Sequence, residues 1–508
     1  MKMSEMTKRR IVIVGGGTAG WMTAAALAKF AIPRMSVTLV ESDEIGIVGV
    51  GEATIPSIAQ FNQSLGIDEA EFVAATGGTY KLGIAFEGWG QPDEGYIHAF
   101  GLVGSALGVV PFHNYWLRGR ALGFAKPLGH YVLHTIAIAG NRFDHVHRPP
   151  GGVAPPLPYA FQFDASLYAK FLRVYSEQRG VVRREGRIIA VERNPENGDV
   201  AAVLLANGAR VEGDLFIDCS GFRGLLIEQE LEAGFEDWSE WLQCDRAIAI
   251  PCERTEPLVP MTRVTARRAG WQWRIPLQHR TGNGHVFSSR RMSEDEAASI
   301  LLASLDGKAT AEPRTIRFIP GIRRKCWIRN VVAIGLSSGF IEPLESTSIH
   351  VVQTAISRLL DLLPAGEVSD ATREDFNARS RYEMERIRDF IILHYHANQR
   401  EGEPFWDELR AMEVPTELQH KMDLFRTSGR IHSSFDELFD ARAWIQVMIG
   451  QNILPESWNP LADVLPESRL REFLEDVERA HLAEVSQMPD HGAFVARFAP
   501  VKRELMPA

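Results

Sequence analysis

The chain has 508 residues and a formal net charge of −10. That length exceeds one small core, so two or three packed units are expected. The acidic balance excludes an ordinary nucleic-acid partner, which needs a basic face, and no stretch reaches the roughly 20 consecutive apolar residues of a membrane span.

Met1 to Arg10 is basic and leads straight into a strand, without the apolar core of a signal peptide. Arg10–Val14 reads as a short buried strand, Thr18–Phe30 as an alanine-rich helix, and Ser36–Val40 as a second strand ending at Glu41. That is a βαβ unit. From about Gly46 to Ala160 the chain is rich in Gly, Pro and aromatic residues and reads as loops around a site. Asp164–Gln178 reads as a helix. Three strands follow, Arg187–Glu192, Val200–Leu205 and Arg210–Ile217, with an Asn207-Gly208 turn between the last two. Val331–Ile334 is another buried strand, and beyond Ile349 the pattern is helical almost to the end. The four cysteines, Cys219, Cys244, Cys252 and Cys326, have no CxxC spacing. Inert thiols in a reduced cytoplasmic protein are expected, with neither disulfides nor a metal site.

Gly15, Gly17 and Gly20, with Thr18 and Ala19 between them, form a GxGxxG turn between strand and helix. Glycine there permits a tight turn and close approach of a pyrophosphate, and Glu41 is placed to accept ribose hydroxyls. The fingerprint alone does not separate FAD from NAD. The three-stranded insertion and two later strand–glycine turns, Ser220-Gly221 and Gly335 to Gly339 with Ser337 inside it, favour FAD.

Glu342-Pro-Leu-Glu-Ser-Thr-Ser348 comes after a buried strand and opens a helix whose apolar stripe starts at Ile349. Free amides and the positive end of the helix dipole make such a place an anion site. Helix capping by Ser346 and Thr347 is the plain alternative. It does not account for two carboxylates flanking a proline. Lys81 stands in Gly77-Gly-Thr-Tyr-Lys-Leu-Gly83 with few other lysines near. A solvated surface lysine is the ordinary reading. A buried one would have a lowered pKa and could act as nucleophile or hydrogen-bond donor. Trp271-Gln-Trp273-Arg-Ile275-Pro276 puts two tryptophans on one face of a strand, most often core or a pocket wall.

Taken together, these strings resemble the flavin-dependent tryptophan halogenase family. The resemblance lies in GxGxxG followed by Trp21, in WxWxIP, in Lys81, and in Glu342 to Thr347. Gly49-Val-Gly-Glu-Ala-Thr-Ile-Pro56 and Asp214-Leu-Phe-Ile-Asp-Cys-Ser-Gly221 match as well, and the likeness runs to about residue 410. It implies an α/β chain: an FAD-binding Rossmann-like three-layer fold with inserted substrate segments and a mostly helical C-terminal cap. Residues 1–355 would be the FAD-binding domain, with insertions at about 80–160 and 225–310, and residues 356–508 the cap.

The family's chemistry implies FADH2 from a separate flavin reductase, O2 and a halide, bromide or chloride. Gly15, Gly17, Thr18, Ala19, Gly20, Glu41, Ala53, Gly335 and Ser337 would hold the cofactor, and Thr347 and Ser348 the halide. Hypohalous acid would travel to Lys81, an electron-rich ring would attack the halogen there, and Glu345 would orient the electrophile or help remove the ring proton. His98 and Phe100 match positions that sandwich an indole, and Trp444 lies in the region matching the substrate cap. The WxWxIP string would keep substrate off the flavin.

Two features depart from the family. Enzymes acting on free tryptophan hold its amino-acid group with paired tyrosines and an acid, yet no tyrosine follows Tyr395 here. Indole or a larger indole-bearing molecule is therefore expected. Ser348 stands where glycine is common, which points to bromide over chloride. The competing readings are an aromatic flavin hydroxylase, which would ignore halide, and a non-catalytic flavoprotein, for which Lys81 and Glu345 have no use.

Overall fold

The computed structural model describes residues 8–32, 35–44, 51–145, 157–363 and 367–498. The basic leader before Lys8 and the start of the Gly49–Pro56 string, Gly49 and Val50, lie outside the described residues. The chain divides into two compact units, each assembled from three segments. Residues 1–77, 163–240 and 318–384 form the first, and 78–162, 241–317 and 385–508 the second.

The first unit is built on a six-stranded sheet. Its order is Trp327–Ile328, Val331–Ala333, Leu215–Asp218, Arg9–Val14, Met35–Glu41 and Val182–Glu185. All neighbours run parallel except the Trp327–Ile328 edge. Side chains alternate along a strand, and both faces of Arg9–Val14 are used. Val12 and Val14 join Val200, Val203, Leu205 and Phe216 in one core. Ile11 and Ile13, equally buried, take the other face. Each such side chain contributes about 1.5–3 kcal/mol by leaving water. The antiparallel meander Ile188–Arg193, Val200–Leu205 and Arg210–Glu212 forms one outer layer. Helices Ala165–Glu177 and Ser348–Asp361, each packed on Thr18–Phe30, supply with it the helical layer. This is the expected three-layer arrangement.

The second unit is built on a seven-stranded sheet. Its order is Arg314–Arg317, Arg246–Glu253, Arg280–Phe287, Gly270–Pro276, Met261–Arg267, Gly83–Glu87 and Gly95–Ala99. Only Met261–Arg267 and Gly83–Glu87 run parallel. Its helices include Phe112–Ala121, Leu133–Ala139, Thr416–Ser428, Ala441–Gly450 and Glu467–Gln487. Among the described residues no helix is long and apolar enough to cross a membrane.

Three local expectations need correction. The Gly46–Ala160 region is not mainly loop: it holds Gly83–Glu87, Gly95–Ala99 and several helices, whose glycines and aromatics serve packing. The expected strand Arg210–Ile217 is broken at Gly213-Asp214, so that Arg210–Glu212 joins the meander and Leu215–Asp218 joins the main sheet. Asp214 sits at the corner, where its carboxylate takes the Arg10 backbone N–H at 2.8 Å and the Arg10 guanidinium at 2.7 Å. The helix that the Glu342–Ser348 segment was expected to open begins only at its last residue, Ser348. The residues between turn twice, with Leu344 N–H bonded to Glu342 O and Ser346 N–H to Pro343 O.

Candidate active site

In the first unit the glycine turn is closed to side chains on one flank and open on the other. A Cβ on Gly15, whose φ is +112°, would stand 2.3 Å from Cys219 O, and one on Gly20 only 1.9 Å from Gly15 O. A Cβ on Gly17 would meet nothing within 4 Å. The Gly15 amide donates to Val40 O at 2.9 Å, tying the turn to the neighbouring strand. Space therefore lies over Gly17 at the start of helix Thr18–Phe30, where amides converge. The turn fits a pyrophosphate. Glu41 ends its strand as expected, and one of its oxygens pairs with Arg183 at 2.5 Å. Ala53 lies on the short strand Gly51–Ala53, and Gly335 begins the turn after Val331–Ala333. Ser337 is buried, and its hydroxyl donates to the backbone carbonyls of Asp218 and Ile334. It thus ties the two strand–glycine turns together. Asp218 completes that link by accepting from the amides of Ser220, Leu226 and Ile227.

Glu345 and Thr347 are buried. Ser346 between them has φ +60°, a left-handed conformation that costs a serine about 1–3 kcal/mol and collects at functional sites. Thr347 is the N-cap of helix Ser348–Asp361, but its side chain makes no capping bond. Only its carbonyl enters the helix ladder, accepting from Val351 N–H at 3.0 Å. Capping, the plain alternative for these hydroxyls, is thus not how Thr347 is used. The first turns of the helix are pinned from the side. His350 meets Ser57 Oγ at 3.0 Å and Glu383 at 3.4 Å, and Arg358 reaches Glu383 at 3.1 Å. Burial by itself would raise the Glu383 carboxyl, but the His350 bond and the Arg358 charge hold it below the ordinary range.

Glu52, which the sequence reading passed over, has no such partners among the described residues. Desolvation pushes its carboxyl up to about 7. Its signal was a charged residue inside a short strand of small residues. A carboxyl with a raised folded pKa takes up a proton on folding between pH 4.5 and about 7, so it lowers stability as pH rises through that window. Glu52→Gln is therefore expected to melt higher than the parent at pH 8, by at most about 3 kcal/mol, and to match it near pH 4.5. Thermal melts at both pH values test this; a difference that does not vary with pH would refute it.

In the second unit Lys81 is fully buried, with 0 % of its surface exposed. The solvated-surface reading is excluded. Its strand, Thr79–Lys81, pairs antiparallel with Ala160–Asp164, Lys81 opposite Ala160. A chain of buried polar groups holds that strand: Thr262 Oγ1 donates to Gln162 at 3.0 Å, Gln162 to Thr79 at 3.2 Å, and Thr79 to Pro276 O at 2.7 Å. Thus Pro276, at the end of the tryptophan strand, anchors the lysine segment. The Tyr80 amide donates to His491 Nε2 at 3.3 Å, which makes His491 Nδ1 the donor to Leu258 O at 2.8 Å. Burial pushes this imidazole down to about 4, so it stays neutral. The Lys81 ammonium lies 5.3 Å from the centre of the Phe100 ring, within cation–π range.

His98 is buried on the Gly95–Ala99 strand, 5.7 Å from the Phe390 ring and 6.2 Å from Phe439. Phe390 and Phe439 stack at 3.9 Å, and Trp444 meets Phe390 edge-on at 4.8 Å. Trp444 donates its indole N–H to Phe439 O at 3.1 Å, and the buried Lys421 ammonium sits 4.3 Å over its ring. Trp271, Trp273, Ile275 and Pro276 lie on Gly270–Pro276 and are buried, the two indoles 6.1 Å apart. The second unit thus sets Lys81 beside Phe100, joins His98 and Trp444 through Phe390 and Phe439, and packs Trp271 against Trp89 and Trp273. The four cysteines are buried; desolvation raises the Cys219 thiol and pushes Cys326 up to about 12, so both are inert.

A glycine turn of dinucleotide-binding type on an α/β sheet, in one chain with a buried lysine beside an aromatic ring, fits an enzyme that uses a nucleotide cofactor. Comparison with known proteins places it more closely. The family model described as tryptophan halogenase matches residues 10–467. Tryptophan 6-halogenase SttH of Streptomyces toxytricini is 36% identical over 448 residues, 84% of this chain and 85% of that protein. Tryptophan 7-halogenase RebH of Lentzea aerocolonigenes is 32% identical, covering 90% of this chain and 92% of that one. Among solved structures, Xcc4156, a flavin-dependent halogenase from Xanthomonas campestris, superposes with TM-score 0.94 at 49% identity, over 97% of this chain and 99% of that one. BrvH, a flavin-dependent halogenase from Brevundimonas sp. BAL3, gives 0.91 at 43%, over 97% and 99%. The chain belongs to the tryptophan halogenase family and is a flavin-dependent halogenase.

Proposed function

We propose that this enzyme halogenates an electron-rich, indole-like ring that does not carry a free amino-acid group, using bromide in preference to chloride. The observation that carries the reading is Lys81: a fully buried ammonium 5.3 Å from an aromatic ring, on a strand braced from both sides. Gly15, Gly17, Thr18, Ala19, Gly20, Glu41, Ala53, Gly335 and Ser337 line the FAD site, and the free space over Gly17 suits its pyrophosphate. Bound FADH2, renewed by a separate flavin reductase, supplies with O2 the oxidising equivalents that turn halide into hypohalous acid.

This chain's own groups do the rest. The amides of Thr347 and Ser348, at the positive end of helix Ser348–Asp361, hold the halide. The Ser348 side chain reshapes that pocket toward the larger ion. The Lys81 ammonium donates to the oxygen of hypohalous acid and polarises its halogen. His98, Phe100 and Trp444 hold the ring, and the Trp271–Pro276 strand walls it off. The ring attacks the halogen, and the oxygen takes a proton from the Lys81 ammonium and leaves as water. Glu345 steadies the cationic ring and accepts the proton from the carbon that gained the halogen.

The test is a reaction with indole, bromide, FAD and a flavin reductase, read by mass spectrometry, beside the same mixture without halide. A monobrominated product is expected, formed faster from indole than from tryptophan and faster than its chlorinated counterpart. A product heavier by one oxygen alone, formed without halide, would make the enzyme a hydroxylase.

A further inference from the structure

The strand Gly95–Ala99 is the last strand of the seven-stranded sheet and pairs on one side only, with Gly83–Glu87. An edge leaves every second residue with its N–H and C=O turned outward. At the end that carries His98 and Phe100, that residue is Ala99, which is buried and closed to solvent. Gln446, on helix Ala441–Gly450, meets both groups. Its Oε1 accepts from Ala99 N–H at 3.1 Å and its Nε2 donates to Ala99 O at 3.1 Å. One side-chain amide thus takes the place of a neighbouring strand. On the inner side the Phe100 N–H donates to Leu82 O at 3.0 Å, next to Lys81. The backbone between His98 and Phe100 is therefore held from both edges.

The rest of the helix follows the same strand. A Cβ on Gly450 would stand 2.4 Å from the Tyr96 ring, so glycine lets the helix lie flat on it. Gln451 donates to Tyr96 Oη at 3.0 Å and Asn452 to Glu94 at 3.0 Å. Gly450 to Asn452 thus line residues 94–96, while Gln446 reaches the end where the ring residues stand. His98 lies on the strand and Phe100 directly past its end, with Ala99 between them. The angle between their rings depends on how the Ala99 peptide groups lie.

We propose that Gln446 is a positioning residue for the aromatic substrate: by fixing Ala99 it sets His98 and Phe100 at the spacing that orients the ring. The proposal rests on the reading of those two residues as the ring's contacts. It matters in this chain because no tyrosine follows Tyr395, so ring contacts must orient what an amino-acid clamp holds elsewhere.

The experiment uses the full-length enzyme with indole and bromide. It compares Gln446→Leu, which keeps the bulk and loses both bonds, with Gln446→Glu, which can donate to Ala99 O only when protonated. In Gln446→Leu the Kd for indole and its KM are expected to rise about tenfold. The ratio of brominated positions shifts, while kcat and FAD affinity stay within about twofold. In Gln446→Glu the same defects appear at pH 8 and shrink toward pH 6, relative to the parent at each pH. This second variant serves if the leucine protein folds poorly. A lower Tm with unchanged Kd, KM and product ratio in either variant would make Gln446 a structural clasp and overturn the proposal. His98→Ala and Phe100→Ala are measured alongside. Should both leave Kd and product ratio unchanged, the ring reading fails and the proposal falls with it. Should they change while the Gln446 variants do not, the proposal alone fails.

Discussion

Lys81→Met is expected to lose at least about a thousandfold in halogenation rate while binding FAD as tightly as the parent. Methionine fills nearly the same volume with a flexible apolar chain, so the packed interior survives. What disappears is the cation 5.3 Å from the Phe100 ring, which is the proposed donor to hypohalous acid. The glycine turn is built from other residues, Gly15 to Gly20, so FAD affinity is expected to hold. Two measurements decide it: rate of ring bromination by mass spectrometry, and FAD affinity by absorbance titration. If the variant retains more than a tenth of the parent rate, Lys81 does not present the halogen. Hypohalous acid escaping to a soluble trap should rise in the variant, since its formation does not use the lysine.

Glu345→Gln comes second, with an expected loss of about a hundredfold to ten-thousandfold in kcat. The amide has the size and shape of the carboxyl but neither steadies a cationic ring nor accepts its proton. Glu345 is fully buried and directly precedes Ser346, whose φ of +60° marks a backbone held in an unfavourable form. Glu345→Asp should recover part of the rate, because the charge is kept although its reach is shorter. Melting within a few degrees of the parent would exclude unfolding as the cause. A Glu345→Gln enzyme with near-parental kcat would remove this residue from the chemistry.

The local elements were legible because their causes are local. Strand Arg9–Val14 and helix Thr18–Phe30 follow from apolar periodicity interrupted by glycines that permit a tight turn, and the structure matches them almost to the residue. The meander strand Val200–Leu205 was also read to its ends. Elements failed where the deciding partner is distant in sequence. Arg210–Ile217 has the composition of one strand, but Arg10 lies 204 residues from Asp214 and takes that corner out of the ladder. Gly83–Glu87 and Gly95–Ala99 were hidden among glycines and aromatics because their burial comes from a sheet assembled mostly from residues 246–317.

The sequence by itself determined the dinucleotide turn, the family through its short motifs, and the candidates for the residues that carry chemistry. Those depend on residue type at fixed spacing, which needs no partner to be read. Tertiary structure alone decided that Lys81 is buried, that Thr347 does not spend its hydroxyl on a cap, that Glu52 is desolvated, and that Gln446 closes the sheet edge at Ala99. Burial and hydrogen-bond partnership are properties of surroundings. Gln446 and Ala99 are 347 residues apart, and no periodicity along the chain records that they meet.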